Sequence, residues 1–314
     1  MPHTTALGAN ETVGGQAVME GVMMRSKDCL AIAVRKPSGE IYVETRPWFS
    51  LSGAKWLKKP FLRGFPILME TLVNGIKALN FSAQHSLDEE EGEISTWAMV
   101  LTMAAAIGFA LLLFVVAPHV FSIGMNWLGL SGDAEALSFH MWDGLFKLLM
   151  FVGYILAISR IPDIRRVFQY HGAEHKVIWA HENNIELSPG AVRDFSRLHP
   201  RCGTTFLLFV LGVSIVLYTF LVPLLLQAWT PENEVVKQVY IIAVKFLLMI
   251  PISAISYEII KFSGKFHKNI LCKALSCPGM AMQMLTTHEP DDAQIEVAIA
   301  ALKSALHGKI TGNA

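Results

Sequence analysis

The sequence predicts a mainly α-helical, polytopic membrane protein: about four transmembrane helices and a small cytoplasmic α+β part containing an N-terminal β-hairpin. Three observations carry that prediction. Of 314 residues, 53% are hydrophobic and only 17% charged, against about 25% charged in an ordinary soluble domain. The apolar residues gather into long runs, of which Trp97 to Ala117 alone exceeds the ~20 residues needed to span a bilayer. Lysine and arginine, finally, concentrate in the termini and in alternate connections between those runs.

Residues 1–59 read as a cytoplasmic N-terminal segment, with no apolar core long enough for a cleavable signal peptide. Within it, the glycines of Gly14–Arg25 match neither the Rossmann fingerprint nor the P-loop, so a nucleotide site is not expected. That stretch reads as a tight turn packed on a Met-rich surface, with Glu20 and Arg25 either paired to each other or facing a site. Leu30 to Arg35 and Glu40 to Arg46 flank Lys36-Pro37-Ser38-Gly39, two short runs about a Pro/Gly turn that form the hairpin.

Residues 60–93 read as an interfacial amphipathic helix followed by an acidic linker, Asp88 to Glu93. Trp56, Lys55, Lys58, Lys59 and Arg63 flank the helix start; it lies at the membrane surface or covers the bundle. Glu70 and Gly64 argue against a fifth span. Residues 94–160 hold transmembrane helices 1 and 2. The second, Met141 to Ser159, is the weaker because Asp143 and Lys147 sit near its start. Residues 161–202 form a loop, residues 203–260 hold helices 3 and 4, and residues 261–314 form a C-terminal segment. In that last segment, Asp291 to Leu306 has carboxylates at its start and apolar residues at helical spacing, a short packing helix set against the hairpin.

Orientation follows from the basic residues. Of 26 lysines and arginines, 23 lie in residues 1–95, 160–202 and 261–314, and none lies in 118–140 or 227–236. The positive-inside rule puts the first three in the cytoplasm together with both termini. Cys29, Cys202, Cys272 and Cys277 all fall on that side and are expected as thiols. The C-x4-C spacing of the last pair lacks the second pair a zinc knuckle needs. Acidic and basic residues balance at 26 each, which gives no reason to expect a nucleic-acid partner. The partners implied are the lipid bilayer and a membrane protein or lipid substrate; the sequence does not set the oligomeric state.

The chemistry concentrates in Tyr170-His171-Gly172-Ala173-Glu174-His175-Lys176. His171 and His175 are four apart and share one helix face, a spacing that suits two imidazoles on one Zn2+ or other divalent metal. The pattern H-x-x-E-H inverts the H-E-x-x-H signature of zinc hydrolases, with Glu174 as the proton-taking base. His181 and Glu182 lie too far along the helix to share the ion. The third ligand is therefore expected from another segment: Glu258 first, at the cytoplasmic end of the fourth span, or His199 and Cys202 at the entry to the third. The competing readings are a salt bridge from Glu258 to Arg201 or Lys261 and a polar elbow around His199. Lys245, deep in the fourth span, raises transport as a further reading, weakened because a relay needs more than one such group.

With Gly14–Arg25, His171–Lys176, Ser196–Thr205 and Met284–Asp292 in view, the chain resembles the YqhQ-like family of bacterial multipass membrane proteins, a domain of unknown function. The resemblance runs from about Gly14 to Leu302. It implies a bacterial inner-membrane location and a predicted metal-dependent enzyme, and it implies no substrate. The expectation is a metal-dependent hydrolase at the cytoplasmic membrane face acting on a peptide or lipid, the alternative a non-catalytic scaffold that docks a partner there.

Overall fold

The computed structural model describes residues 13–27, 29–51, 57, 59–86, 96–265 and 270–308, with backbone alone at 96, 99, 264–265 and 270–276. The acidic run Asp88 to Glu93, the basic flank Lys55, Trp56 and Lys58, and the Cys272 side chain lie outside the described residues.

The chain opens on strands β1 (Gly14–Val18), β2 (Gly21–Arg25), β3 (Cys29–Arg35) and β4 (Ile41–Pro47), paired antiparallel in the order β1-β2-β3-β4. The expected hairpin is β3–β4, turning at Gly39, whose φ of +87° favours glycine. Gly14–Arg25, read from sequence as a single tight turn, is instead a second hairpin. Its registers run Gly15↔Met24, then Met23↔Ile32. The signal was hidden because the inner strands are covered on both faces and so lose the alternation of a half-solvated sheet. Val22, Met24, Ala31 and Ala33 join one core, while Met23, Leu30, Ile32 and Val34 join another.

One face packs on α5 (Pro162–Glu182) and α10 (Asp292–His307), the other on α1 (Gly64–Ser86). Helix α1 also lies against α8 (Glu234–Lys265), approaching at Gly64, where an added Cβ would meet the Ala254 Cα at 2.6 Å. It therefore covers the bundle, one of the two placements expected. Helix α10 packs on α5, β2 and β3 as expected, and Asp291 caps it reciprocally with Gln294.

Among the described residues, four helical stretches are long and apolar enough to cross a membrane: Val100–Trp127, Leu137–Ile158, Gly203–Ala228 and Glu234–Ser263. The first comprises α2 (Thr96–Leu111), a π-turn at Leu112–Val116 and α3 (Ala117–Trp127); the others are α4 (Leu137–Ile158), α7 (Gly203–Ala228) and α8. Lys245 pairs with a carboxylate, Asp143 of the second stretch. Its Nζ lies 2.7 Å from Asp143 Oδ1 and 3.3 Å from His119 Nδ1, while Lys147 Nζ reaches Asp143 Oδ2 at 3.5 Å. No sequence signal marked α9 (Ile270–Thr286), which packs on α7 and α8. Between α5 and α7 the chain makes one short turn, α6 (Pro189–Val192).

Candidate metal centre

Helix α5 starts at Pro162, in a first turn where the missing N–H costs nothing. Two turns on, it buries His171, Glu174 and His175 between the sheet and the segment leading into α7. The two imidazole centroids are 4.4 Å apart. Cys202 is the N-cap of α7, its sulfur accepting from the Thr204 N–H at 3.4 Å. One donor atom each of His171, His175 and Cys202 lies within 4.8 Å of the others.

The outer nitrogens of both rings are pinned by backbone carbonyls. His171 Nδ1 donates to the Thr286 carbonyl at 2.8 Å and His175 Nδ1 to that of Arg197 at 2.6 Å. A carbonyl can only accept, so each neutral ring carries its proton on Nδ1 and turns an Nε2 lone pair inward. That of His171 meets Cys202 Sγ at 3.1 Å, while that of His175, fully buried, has no hydrogen-bond partner. Glu174 Oε2 is likewise buried without a partner. Such orphaned acceptors are costly and call for an explanation. Two neutral imidazoles, one thiol and carbonyl-fixed tautomers make a donor set of two nitrogens and one sulfur, of the kind that holds zinc, with the carbonyls as outer partners.

Electrostatics agree with the geometry. Burial raises the Glu174 carboxyl to about 8, His171 opposing the rise and Cys202 adding to it. Burial also keeps His175 below the ordinary imidazole range. At Cys202, burial pushes the thiol up, but the neighbouring His175 and Thr204 bring it below its ordinary value. Burial thus favours the neutral form of His175, the form that binds a metal.

The structure brings His171, Glu174, His175 and Cys202 together and leaves Glu258 elsewhere. Arg63 Nε and Nη2 donate to the two Glu258 oxygens at 2.8 and 2.6 Å, where α1 begins beside α8. Glu258 thus takes a salt bridge, with neither Arg201 nor Lys261 as its direct partner; Arg201 pairs with Glu182. His199 stands beside the cluster, its ring centroid 5.8 Å from that of His175: its Nδ1 accepts from the Arg201 N–H at 3.3 Å, and its buried Nε2, without a hydrogen-bond partner, faces Glu182 at 3.5 Å. Glu20 and Arg25 do not pair with each other. Glu20, at a φ of +49° in the β1–β2 turn, holds Arg166 through both carboxylate oxygens, and Arg25 lies over the Trp48 ring.

Several residues that build the site carry no signature. Gln283 of α9 accepts from the His199 N–H and donates to its carbonyl, both at 2.8 Å, fixing the approach to Cys202. Gly172, between the histidines, lets the His288 carbonyl pass where a Cβ would stand 2.1 Å from it. Gly15 of β1 lies over Glu174, whose side chain a Cβ there would meet at 2.8 Å. A cavity of about 210 Å³ opens beside the donors, lined among others by Gly15, Arg25, Trp48, Glu174, His175 and Cys202.

The chain belongs to the DUF1385 family, described as "Protein of unknown function", whose profile matches residues 59–308 and so includes every donor of the centre. It is 36% identical over 306 residues to "Uncharacterized protein YqhQ" of Bacillus subtilis (strain 168), an alignment covering 93% of this chain and 92% of that protein. No solved structure matches.

Proposed function

We propose that this member of the DUF1385 family is a metal-dependent hydrolase of the bacterial inner membrane, with its site at the cytoplasmic face and a membrane-borne peptide or lipid as substrate. One observation carries the reading: two inward Nε2 lone pairs, with tautomers set by the Thr286 and Arg197 carbonyls, converge on a buried cysteine. His171, His175 and Cys202 would hold zinc or another divalent cation, leaving a fourth position for water or substrate. Such an ion would polarise the scissile group and supply Lewis-acid activation of a water at neutral pH. In its ionised form, which a cation beside it would favour against the burial that raises its pKa, Glu174 takes the proton from the attacking water on its unpartnered Oε2 and passes it to the leaving group. Gly15 and the surrounding strand keep bulk water off that carboxylate.

Four apolar helices and the basic residues of three segments support placement in the bilayer with both termini inside. Metal analysis of the detergent-purified chain tests the centre, with about one zinc per chain expected. A His171→Ala/His175→Ala variant should lose it, and Glu258→Gln should keep it. Glu174→Gln should retain metal and lose turnover; full function in that variant would favour the non-catalytic scaffold. A wild type without stoichiometric metal, or a double variant that retains it, would remove the enzyme reading.

A further inference from the structure

The cavity beside the centre has a second pole. Arg25, the last residue of β2, lines it with its guanidinium Cζ 3.7 Å from the Trp48 ring centroid. The cation–π contact with the indole takes up the guanidinium face and uses none of its N–H donors. Arg63, Arg166, Arg193 and Arg197 each spend N–H groups on a carboxylate or carbonyl. Arg25 has no hydrogen-bond acceptor for any of its N–H groups among the described residues. Glu70 attracts it electrostatically, but that carboxylate already accepts from Ser50 Oγ at 2.9 Å and the Leu51 N–H at 2.7 Å. A half-buried, permanently charged fork whose donors are not used within the protein is suited to an anion that enters the cavity.

We propose that Arg25 holds the phosphate group of the ligand this cavity takes. A phosphate gives the fork two oxygens and has another left to face the donors across the cavity, whereas a carboxylate would spend both of its oxygens on the fork. The volume, about 210 Å³, suits a headgroup rather than a whole lipid. The cavity is lined by Cys202 and Gly203, the start of the 26-residue apolar helix α7, and by Thr71 of α1. That is the level at which a headgroup lies when its chains are among apolar helices, so the phosphate comes from a phospholipid headgroup or from a free phosphate ester. The Arg25 contact stands without a metal; the contact of the remaining oxygen rests on the metal-centre reading.

The test is calorimetric titration of inorganic phosphate into the full chain in maltoside micelles, metal-free and zinc-loaded. Arg25→Ala and Arg25→Lys should each weaken binding by about 10-fold or more in both forms, and Arg193→Ala, an exposed change outside the cavity, should leave it unaltered. Arg25→Lys keeps the charge and most of the stem, so it serves where Arg25→Ala fails to fold. Both Arg25 variants binding like wild type, or no saturable binding by wild type in either form, would overturn the proposal. Arg25-dependent binding in a chain that retains no zinc would uphold it and sink the metal reading alone. Micelles doped with phosphatidic acid identify the source. A rise of about 10-fold in the apparent Kd for phosphate means a headgroup occupies the site, and an unchanged Kd means a free ester; either outcome supports Arg25 as the phosphate holder.

Discussion

A single hydrogen atom separates Gly172 from any residue the α5 ridge could otherwise carry. The His288 carbonyl passes so close that a Cβ would lie 2.1 Å from it, and the same stretch of chain supplies the Thr286 carbonyl to His171. Gly172→Ala should therefore destabilise the protein by about 1–3 kcal/mol or more, since neither helix nor carbonyl has room to give. A thermal melt of the variant in detergent, accompanied by zinc retention, reads both effects. At this scale the sequence was legible where chemistry repeats along one helix. His171, Glu174 and His175 announce themselves by spacing. The third donor did not, because Cys202 reaches them across the fold through a turn that Gln283 shapes. Glu258 looked the better ligand on depth alone; its partner, Arg63, is distant in sequence and no local pattern links the two.

Helix α9 shows what an element can do without carrying any of the chemistry. Through Gln283 it clamps both backbone groups of His199, and through Gly279 it seats against Thr205, where a Cβ would meet the Thr205 side chain at 2.4 Å. Gln283→Ala leaves the buried His199 N–H without a partner and its carbonyl with the Cys202 N–H alone, a loss of about 1–3 kcal/mol. The zinc dissociation constant should rise by about 10-fold or more, as for other outer partners of ligands; chelator competition measures it, and unchanged affinity would make α9 a packing element only. Helix α10 was readable from its acidic start, and Asp291→Ala should cost about 1 kcal/mol through loss of the capping box. Strands β1 and β2 were missed for a physical reason: glycines and small residues sit where α5 and α10 press on one face and α1 on the other.

Over the whole molecule, composition and charge placement made the four long helices readable, because apolar length needs no tertiary information. How those helices pack was not readable. Asp143, Lys147, Lys245 and His119 come from three helices and meet in one buried group, with the Tyr218 ring beneath Lys147 at 4.3 Å. Asp143 is the carboxylate that both lysines share. Asp143→Asn leaves two buried ammonium groups facing each other and should cost about 3–5 kcal/mol. Lys147→Met leaves the Lys245–Asp143 pair intact and should cost distinctly less. Urea or thermal unfolding in micelles ranks them, and equal losses would mean that the shared carboxylate is not what holds the three helices together.

The Thr286 carbonyl that aims His171 gives the site an order of completion in time. A ribosome makes both histidines and Cys202 long before it reaches Thr286, so an interrupted chain owns all the donors yet lacks the group that turns one of them inward. Truncated products of stalled synthesis would thus lack the carbonyl that orients the His171 ring. On the proposed metal reading, ion capture falls to the completed chain, after its last two helices have docked.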